Sequence, residues 1–384
     1  MILTQNKKTK ISLKDYSYQS DIEHRLFLSS LPAFDIRILQ ELFYFGSQFA
    51  LSDLRDALDC SESVLLSSLT NLSKTGLLLV KDEMVLLDRD LRKYFEFQVA
   101  VFNPDFEPDF QYFQGLLKKI PISALPVWYN IPKTSDTIFG AIVEKFLATP
   151  KLYERHLQDV VFDEPCCREI LDMLLGTPTL TLRSDTIRTT LTLSREKLQQ
   201  CLLLLEFHAV CAARYILEEG CWVEVVTVFR EYKEHVMRER AIEPKRAIQS
   251  PSLLSISYFK DPFGQYKSAI AKLEEEYAET FGSVEKSVRE LERSLKICPD
   301  ERWVYFDDFV YSLSASVGKQ SSTSLERVGK KWRYSAPQYC EQEREFIKRV
   351  IFELFFQMNI TSCGVHDGKP CFFVTAFGRI ALGD

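Results

Sequence analysis

Apolar residues fall along this chain in short helical stripes, separated by turn residues and followed each time by a pair of short runs. From Asp35, the residues Ile36, Leu39, Leu42 and Phe43 share one helix face. After a break at Gly46-Ser47, residues 51–58 read as a shorter helix with Ser52 as its N-cap. Ser61 caps a third helix that carries Val64, Leu65, Leu69 and Leu72, and Gly76 suits the left-handed position that ends it. Leu77–Val80 and Met84–Leu87 flank Lys81-Asp82-Glu83 as a β-hairpin, and a helix over Leu91–Phe97 closes the stretch.

The same order recurs. Ile170, Leu171 and Leu174 mark a first helix, Ser184–Leu191 a short second one, and Ser194 caps a third with Leu198, Cys201, Leu202 and Leu205 on its buried face. Ala212–Leu217 and Cys221–Val226 flank Glu218-Glu219-Gly220 as a hairpin, and Phe229–Val236 closes. A third instance starts at Arg302, with Phe306, Phe309, Val310 and Leu313 as first helix and Glu341–Met358 as the long helix. Asn359–Gly364 and Phe372–Thr375 flank His366-Asp367-Gly368, and Ala376–Leu382 closes. A basic, serine-rich stretch between the two helices reads as an irregular insertion. Helix, short helix, longer helix and two-stranded wing is the winged-helix order.

The expected fold is therefore mainly α with small β-hairpin wings: three tandem winged-helix-like units, a helical spacer and one long helix. Residues 1–20 form a flexible basic arm, 21–97 the first unit, 98–165 a proline-rich spacer and 166–240 the second unit. Residues 241–301 hold a loop and the long helix, and 302–384 form the third unit. The spacer has helices near 109–118 and 136–147. The long helix, about 264–297, has a near-heptad stripe of Tyr266, Ile270, Leu273, Tyr277, Phe281, Val284, Val288, Leu291 and Leu295. The stripe suits either a coiled-coil seam or, preferably, packing onto neighbouring units.

Composition sets limits on this picture. With 384 residues, 46% apolar and 27% charged, the chain is an ordinary globular one with two to three domains' worth of core. The N-terminus lacks the apolar core of a signal peptide and no apolar run is long enough to span a membrane, so the expected setting is cytoplasmic, with no membrane partner. The ten cysteines show no CxxC or zinc-type spacing and read as reduced, mostly buried thiols. Cys201, Cys211 and Cys221 are expected in one small core. The net charge of −6 disfavours a strongly basic polyanion binder. It is uneven, however: residues 302–384 hold 11 basic and 9 acidic side chains, so the surplus of acid lies wholly upstream.

Two passages carry family character: residues 302–313, with Trp303, Asp307 and Asp308, and residues 344–356, followed by a hairpin and Phe372-Phe-Val-Thr-Ala-Phe-Gly-Arg379. Together they resemble bacterial helicase-associated domain proteins, related to the N-terminal domain of XPB-type helicases. The resemblance implies tandem winged helices, no motor, and a setting in transcription or DNA repair. Thr375-Ala376-Phe377 departs from the family's usual Thr-Pro-Leu, and the middle of the third unit is shorter.

Catalytic motifs do not emerge. A P-loop ending at Gly318-Lys319 would need glycine at 313, which is leucine, and Gln320 follows the lysine. No HExxH, GxSxG or GxGxxG pattern occurs, and no histidine has another three or four residues away. His208, ending a leucine-rich helix, reads as a packed or capping residue. No enzyme activity, cofactor or metal is expected.

Nucleic-acid contact needs Arg, Lys or amide side chains on helices that reach a groove. The first unit's third helix offers only Lys74. The second offers Arg195, Lys197, Gln199 and Gln200, with Arg183 and Arg188 nearby. The third has Arg327, Lys330, Lys331 and Arg333 interleaved with Trp332. The expected function is a non-enzymatic adaptor associated with DNA or RNA and with a protein partner. The alternative is a protein–protein scaffold that binds no nucleic acid and uses the winged helices and the 264–297 helix, self-association included.

Overall fold

The computed structural model describes residues 19–118, 137–242, 252–253, 262–277, 279, 281–300 and 302–383. Residues 1–18 of the expected arm and most of the loop expected over 241–265 lie outside them. The chain is mostly helical with small antiparallel sheets. It divides into two compact units: described residues up to Glu144 with His156–Arg230, and Lys145–Arg155 with Glu231 onward.

In the first unit, α1 (Gln19–Ser29) and α2 (Ala33–Leu42) precede β1 (Gln48–Ala50), α3 (Leu51–Leu58), α4 (Glu62–Ser73), β2 (Leu78–Lys81), β3 (Met84–Leu87) and α5 (Arg89–Val99). Strand β1 runs straight into α3, so Ala50 holds the N-cap position expected of Ser52. Ser61 does sit at the N-cap of α4, but its hydroxyl meets Ser63 instead of a backbone N–H. Helix α5 has a working cap, since the Asp88 carboxylate accepts from the N–H groups of Asp90 (3.0 Å) and Leu91 (2.8 Å).

Spacer helices α6 (Phe110–Leu117) and α7 (Ile138–Ile142), the latter running on as a π-turn to Leu147, lead to α8 (Pro150–Asp159). Then α9 (Pro165–Leu175), β4 (Thr181–Arg183), α10 (Ser184–Thr190), α11 (Arg195–Phe207), β5 (Cys211–Glu218) and β6 (Cys221–Val228) repeat the first set. Helix α11 is buried nearly all round. Four consecutive leucines, 202–205, cover every azimuth of a helix, so no side of it there is left for solvent. Helix α1 packs on it, and Arg25 and Glu206 pair at 3.1 and 2.6 Å, both buried. His208 at its C-cap is buried and donates from Nδ1 to the Leu204 carbonyl at 2.7 Å, while His156 Nε2 donates to the His208 carbonyl. Cys201 and Cys211 lie in the core, whereas Cys221 is exposed at the hairpin tip, apart from them.

The second unit holds α12 (Arg230–Arg240) from Glu231 onward, β7 (Ser252–Leu253), α13 (Pro262–Tyr277), α14 (Val284–Ser294), β8 (Val304–Tyr305), α15 (Phe306–Ser312), β9 (Ser324–Val328) and β10 (Lys331–Ser335). It ends with α16 (Glu341–Arg349), a π-turn over Val350–Phe355, β11 (Thr361–His366), β12 (Lys369–Val374) and α17 (Ala376–Leu382). The single long helix expected over 264–297 is two. It stops at Tyr277, and Ser283 caps α14 by accepting from the Lys286 N–H at 3.3 Å. The stripe residues Ile270, Leu273, Phe281, Val284, Val288, Leu291 and Leu295 are all buried in this unit's own core. They are therefore not a seam for self-association. The insertion expected to be irregular is an ordered hairpin, β9–β10.

Three stretches share one order: a helix, a strand leading into a short helix, a longer helix, a hairpin and a closing helix. The sheets match as well, with orders β1-β3-β2, β4-β6-β5 and β8-β12-β11, where the leading strand pairs with the second hairpin strand each time and β7 adds to the outer edge of β11. Equivalent core positions coincide. Leu51, Ser184 and Phe306 start the short helices and are buried, and Leu54, Ile187 and Phe309 follow one turn later with no exposure. The long helices are followed by left-handed Gly76, Ala209 and Asn359, each before a buried aliphatic residue (Leu77, Val210, Ile360). The three hairpin turns, Asp82-Glu83, Glu219-Gly220 and Asp367-Gly368, have positive φ at both positions, the type I′ geometry that matches strand twist.

Candidate nucleic-acid interface

Most of the cations expected on the second repeat are already matched by acids. Arg183, at the end of β4, pairs with Glu218, and Arg188 pairs with Asp185 one helix turn back at 3.4 Å. Lys197 reaches Glu164 at 2.6 Å, and that bond holds its ammonium above the usual lysine range. Gln199 is 4% exposed and donates to Glu224 at 2.8 Å, so it cannot meet a base edge. That placement corrects the expectation for Gln199, and the cause is the packing of α1 over α11. Gln200 is half-buried; Arg195, at the first position of α11, is exposed with no acidic partner among the described residues.

The long helices of the other two repeats are no more basic. Outward positions of α4 carry Glu62, Ser63, Val64, Ser67 and Thr70, with Lys74 beyond its end. On α16, Arg344 pairs with Asp307 at 2.5 Å, and Arg349 pairs with Glu276 and, at 3.4 Å, with Glu353.

The β9–β10 hairpin differs. Its strands pair in register from Ser324↔Ser335 to Val328↔Lys331, with Gly329-Lys330 as the turn and Gly329 in the left-handed region (φ 64°). Directly opposite residues share a face. On one face Tyr334, beside Leu325, anchors the base by donating from its hydroxyl to the Leu147 carbonyl at 2.9 Å, and Leu325 N–H bonds Ala148. Nearer the tip on that face, the Arg327 guanidinium lies 6.0 Å from the Trp332 ring centroid. The other face carries Lys331 beside Val328 and Arg333 beside Glu326, all exposed. With Lys330 at the turn, the exposed end holds four cations and one carboxylate. Of the residues expected to bind nucleic acid, this hairpin gathers Arg327, Lys330, Lys331, Trp332 and Arg333. The remainder lie in the first unit.

Sequence reasoning passed over Ser184, Trp222 and Glu224, which line a cleft beside Arg188 and Arg195. Only the periodicity of β6 placed Trp222 and Glu224 on one face. Among the described residues no group of three or more His, Cys, Asp or Glu is placed to hold a metal ion, and no helix is long and apolar enough to cross a membrane. No family model matches this chain, and neither a curated protein nor a solved structure shows significant similarity to it.

Proposed function

We propose that the three repeats are tandem winged helices and that the chain is a non-enzymatic, nucleic-acid-associated adaptor. In this reading the inserted β9–β10 hairpin, rather than any long helix, meets the phosphate backbone. The observation that carries it is the charge of the hairpin: Arg327, Lys330, Lys331 and Arg333 stand against Glu326 alone, on a two-stranded ribbon anchored at its base by Tyr334. A twisted ribbon with an aromatic near its tip is a form that proteins use to track phosphates and stack on bases. The resemblance to helicase-associated proteins over about residues 35–384, carried by the passages within 302–379, is what suggests a transcription or repair setting.

Four phosphate contacts give a salt slope of about −3.6 on duplex DNA, so affinity falls about 100-fold between 50 and 200 mM salt. Fluorescence anisotropy with labelled single-stranded and duplex oligonucleotides at those two salts tests the reading. The expected result is measurable binding at low salt that Lys330→Glu, Lys331→Glu and Arg333→Glu together abolish. Equal binding by wild type and that variant removes the hairpin as the site.

A second reading is favoured by the outward face of α4. It is nearly uncharged and leaves Val64 49% exposed, which suits a protein partner better than a phosphate backbone. In that reading the winged helices form a scaffold, and the same anisotropy experiment shows no binding by wild type at low salt.

A further inference from the structure

The closing helices of the three repeats differ in what they leave outside. On α5 the exposed residues are Arg89, Asp90, Lys93 and Glu96, and on α12 they are Glu234 and Arg240. On α17 they are Ala376, Phe377, Ile380 and Ala381, with no charge among them. At the fifth position of each helix stand Lys93, Glu234 and Ile380. Ile380 is 76% exposed and Phe377 54%. The inner side of α17 fixes this face outward. Gly378 lies against the Ile360 carbonyl, the Thr375 hydroxyl accepts from the Gly378 N–H at 2.9 Å, and Arg379 donates to the Cys298 carbonyl. Ala381, one turn after Phe377, is also a wall of a groove of about 460 Å³, whose other apolar walls are Tyr266, Met358, Ile360 and Leu382. A projecting apolar pair and an apolar groove therefore lie side by side on the second unit.

The charges around this face bear on its occupant. Glu292 accepts from the Tyr266 hydroxyl at 3.0 Å, Arg293 pairs with Glu290 at 2.6 Å, Arg379 pairs with Asp300 at 3.2 Å, and Lys296 donates to the Gly383 carbonyl at 3.4 Å. Three cations thus stand with three carboxylates. Such a border draws neither an acidic nor a basic partner, and it does not repel an identical copy. We propose that the face binds its own copy, so that the chain forms a two-fold dimer through α17. A two-fold contact needs a patch that is complementary to itself, and a projection beside a groove meets that need. In an antiparallel pair of α17 helices centred at Arg379, Phe377 of each copy stands opposite Ala381 of the other and enters the groove that Ala381 borders. The face is small against the roughly 800 Å² per partner of a standard interface, so the dimer is a weak one, with a dissociation constant in the micromolar range. The inference does not rest on nucleic-acid contact by the β9–β10 hairpin.

Analytical ultracentrifugation of the full chain, freed of nucleic acid, tests it. The expected result is a weight-average mass that rises from 44.6 kDa toward twice that value between about 1 and about 300 μM. Ile380→Lys, at an exposed position that leaves the fold intact, is expected to weaken association tenfold or more, and Phe377→Ser to do the same. Tyr44→Lys alters an apolar side chain that is as exposed but lies on the first unit, and it should leave association unchanged. The proposal is overturned by a monomer at every concentration, by association that Ile380→Lys and Phe377→Ser leave unchanged, or by an equal loss in Tyr44→Lys.

Discussion

Arg25 and Glu206 stand 181 residues apart in sequence and are 7% and 1% exposed. Their two parallel bonds, at 3.1 and 2.6 Å, fasten α1 to α11. Removing one charge leaves the other in the interior without its counterion, which costs about 3–5 kcal/mol. Arg25→Met is expected to lose that much, and in a unit of this size about 1 kcal/mol corresponds to roughly 2–4 °C, so the first unit should melt roughly 6–20 °C lower. Glu206→Gln is expected to cost a similar amount. The double variant Arg25→Met/Glu206→Gln removes both charges and keeps an acceptor for the Ala213 N–H, which bonds Glu206 Oε1 at 3.4 Å. It should recover more than half of the loss, because desolvating the pair costs nearly as much as its attraction returns. Urea denaturation of all four proteins gives the coupling energy, expected to be at least about 2 kcal/mol. Additive single effects, or single losses below about 1 kcal/mol, would show that α1 does not rest on α11 through this pair. The reason that α11 cannot offer its side to a groove would then be gone.

Gly378 lies so close to the preceding loop that a Cβ would sit 2.2 Å from the Ile360 carbonyl oxygen, so Gly378→Ala should destabilise the second unit by about 1–3 kcal/mol or more in thermal melts. Asp88→Ala should cost about 1 kcal/mol through loss of its two cap bonds, whereas Ser61→Ala, at a cap that makes no such bond, should be nearly neutral by the same measurement. Burial, with a smaller push from nearby His156, lowers the His208 pKa to about 4, so the folded protein stays neutral there while the unfolded chain takes up a proton below about 6.5. Stability then falls as pH drops from about 6.5 to 4, by up to roughly 3 kcal/mol from this group; the difference between wild type and His208→Gln in urea titrations at the two ends of that window isolates it.

The repeated order was legible because it rests on local rules. Buried residues fall every three or four positions in the short helices, and turns such as Glu219-Gly220 and Asp367-Gly368 announce hairpins. The break between α13 and α14 was present in the sequence as Ser283 before Val284-Glu-Lys, but an apolar stripe that keeps step across residues 278–283 masked it. The β9–β10 hairpin was hidden differently. Its second strand, Lys331-Trp-Arg-Tyr-Ser335, alternates charged with aromatic residues and not polar with aliphatic ones, so only Gly329 marked the turn. The fate of Gln199 depended on α1, which returns from 170 residues upstream in the chain. No local pattern encodes that contact, although four consecutive leucines beside Gln199 were a sign that the helix had no solvent face there. For the same reason, charge counted along the sequence overstated the second repeat as a polyanion site: Glu164 and Glu218, which neutralise Lys197 and Arg183, are contributed by other elements.

The cations of the β9–β10 hairpin are proposed to carry the nucleic-acid contact. The slope of log affinity against log salt measures it most directly, for wild type and for the Lys330→Glu/Lys331→Glu/Arg333→Glu variant on one duplex oligonucleotide. A wild-type slope near −3.6 for four phosphate contacts, with little or no binding by the variant, is the expected result. A wild-type slope near zero, or the same steep slope in the variant, would contradict it.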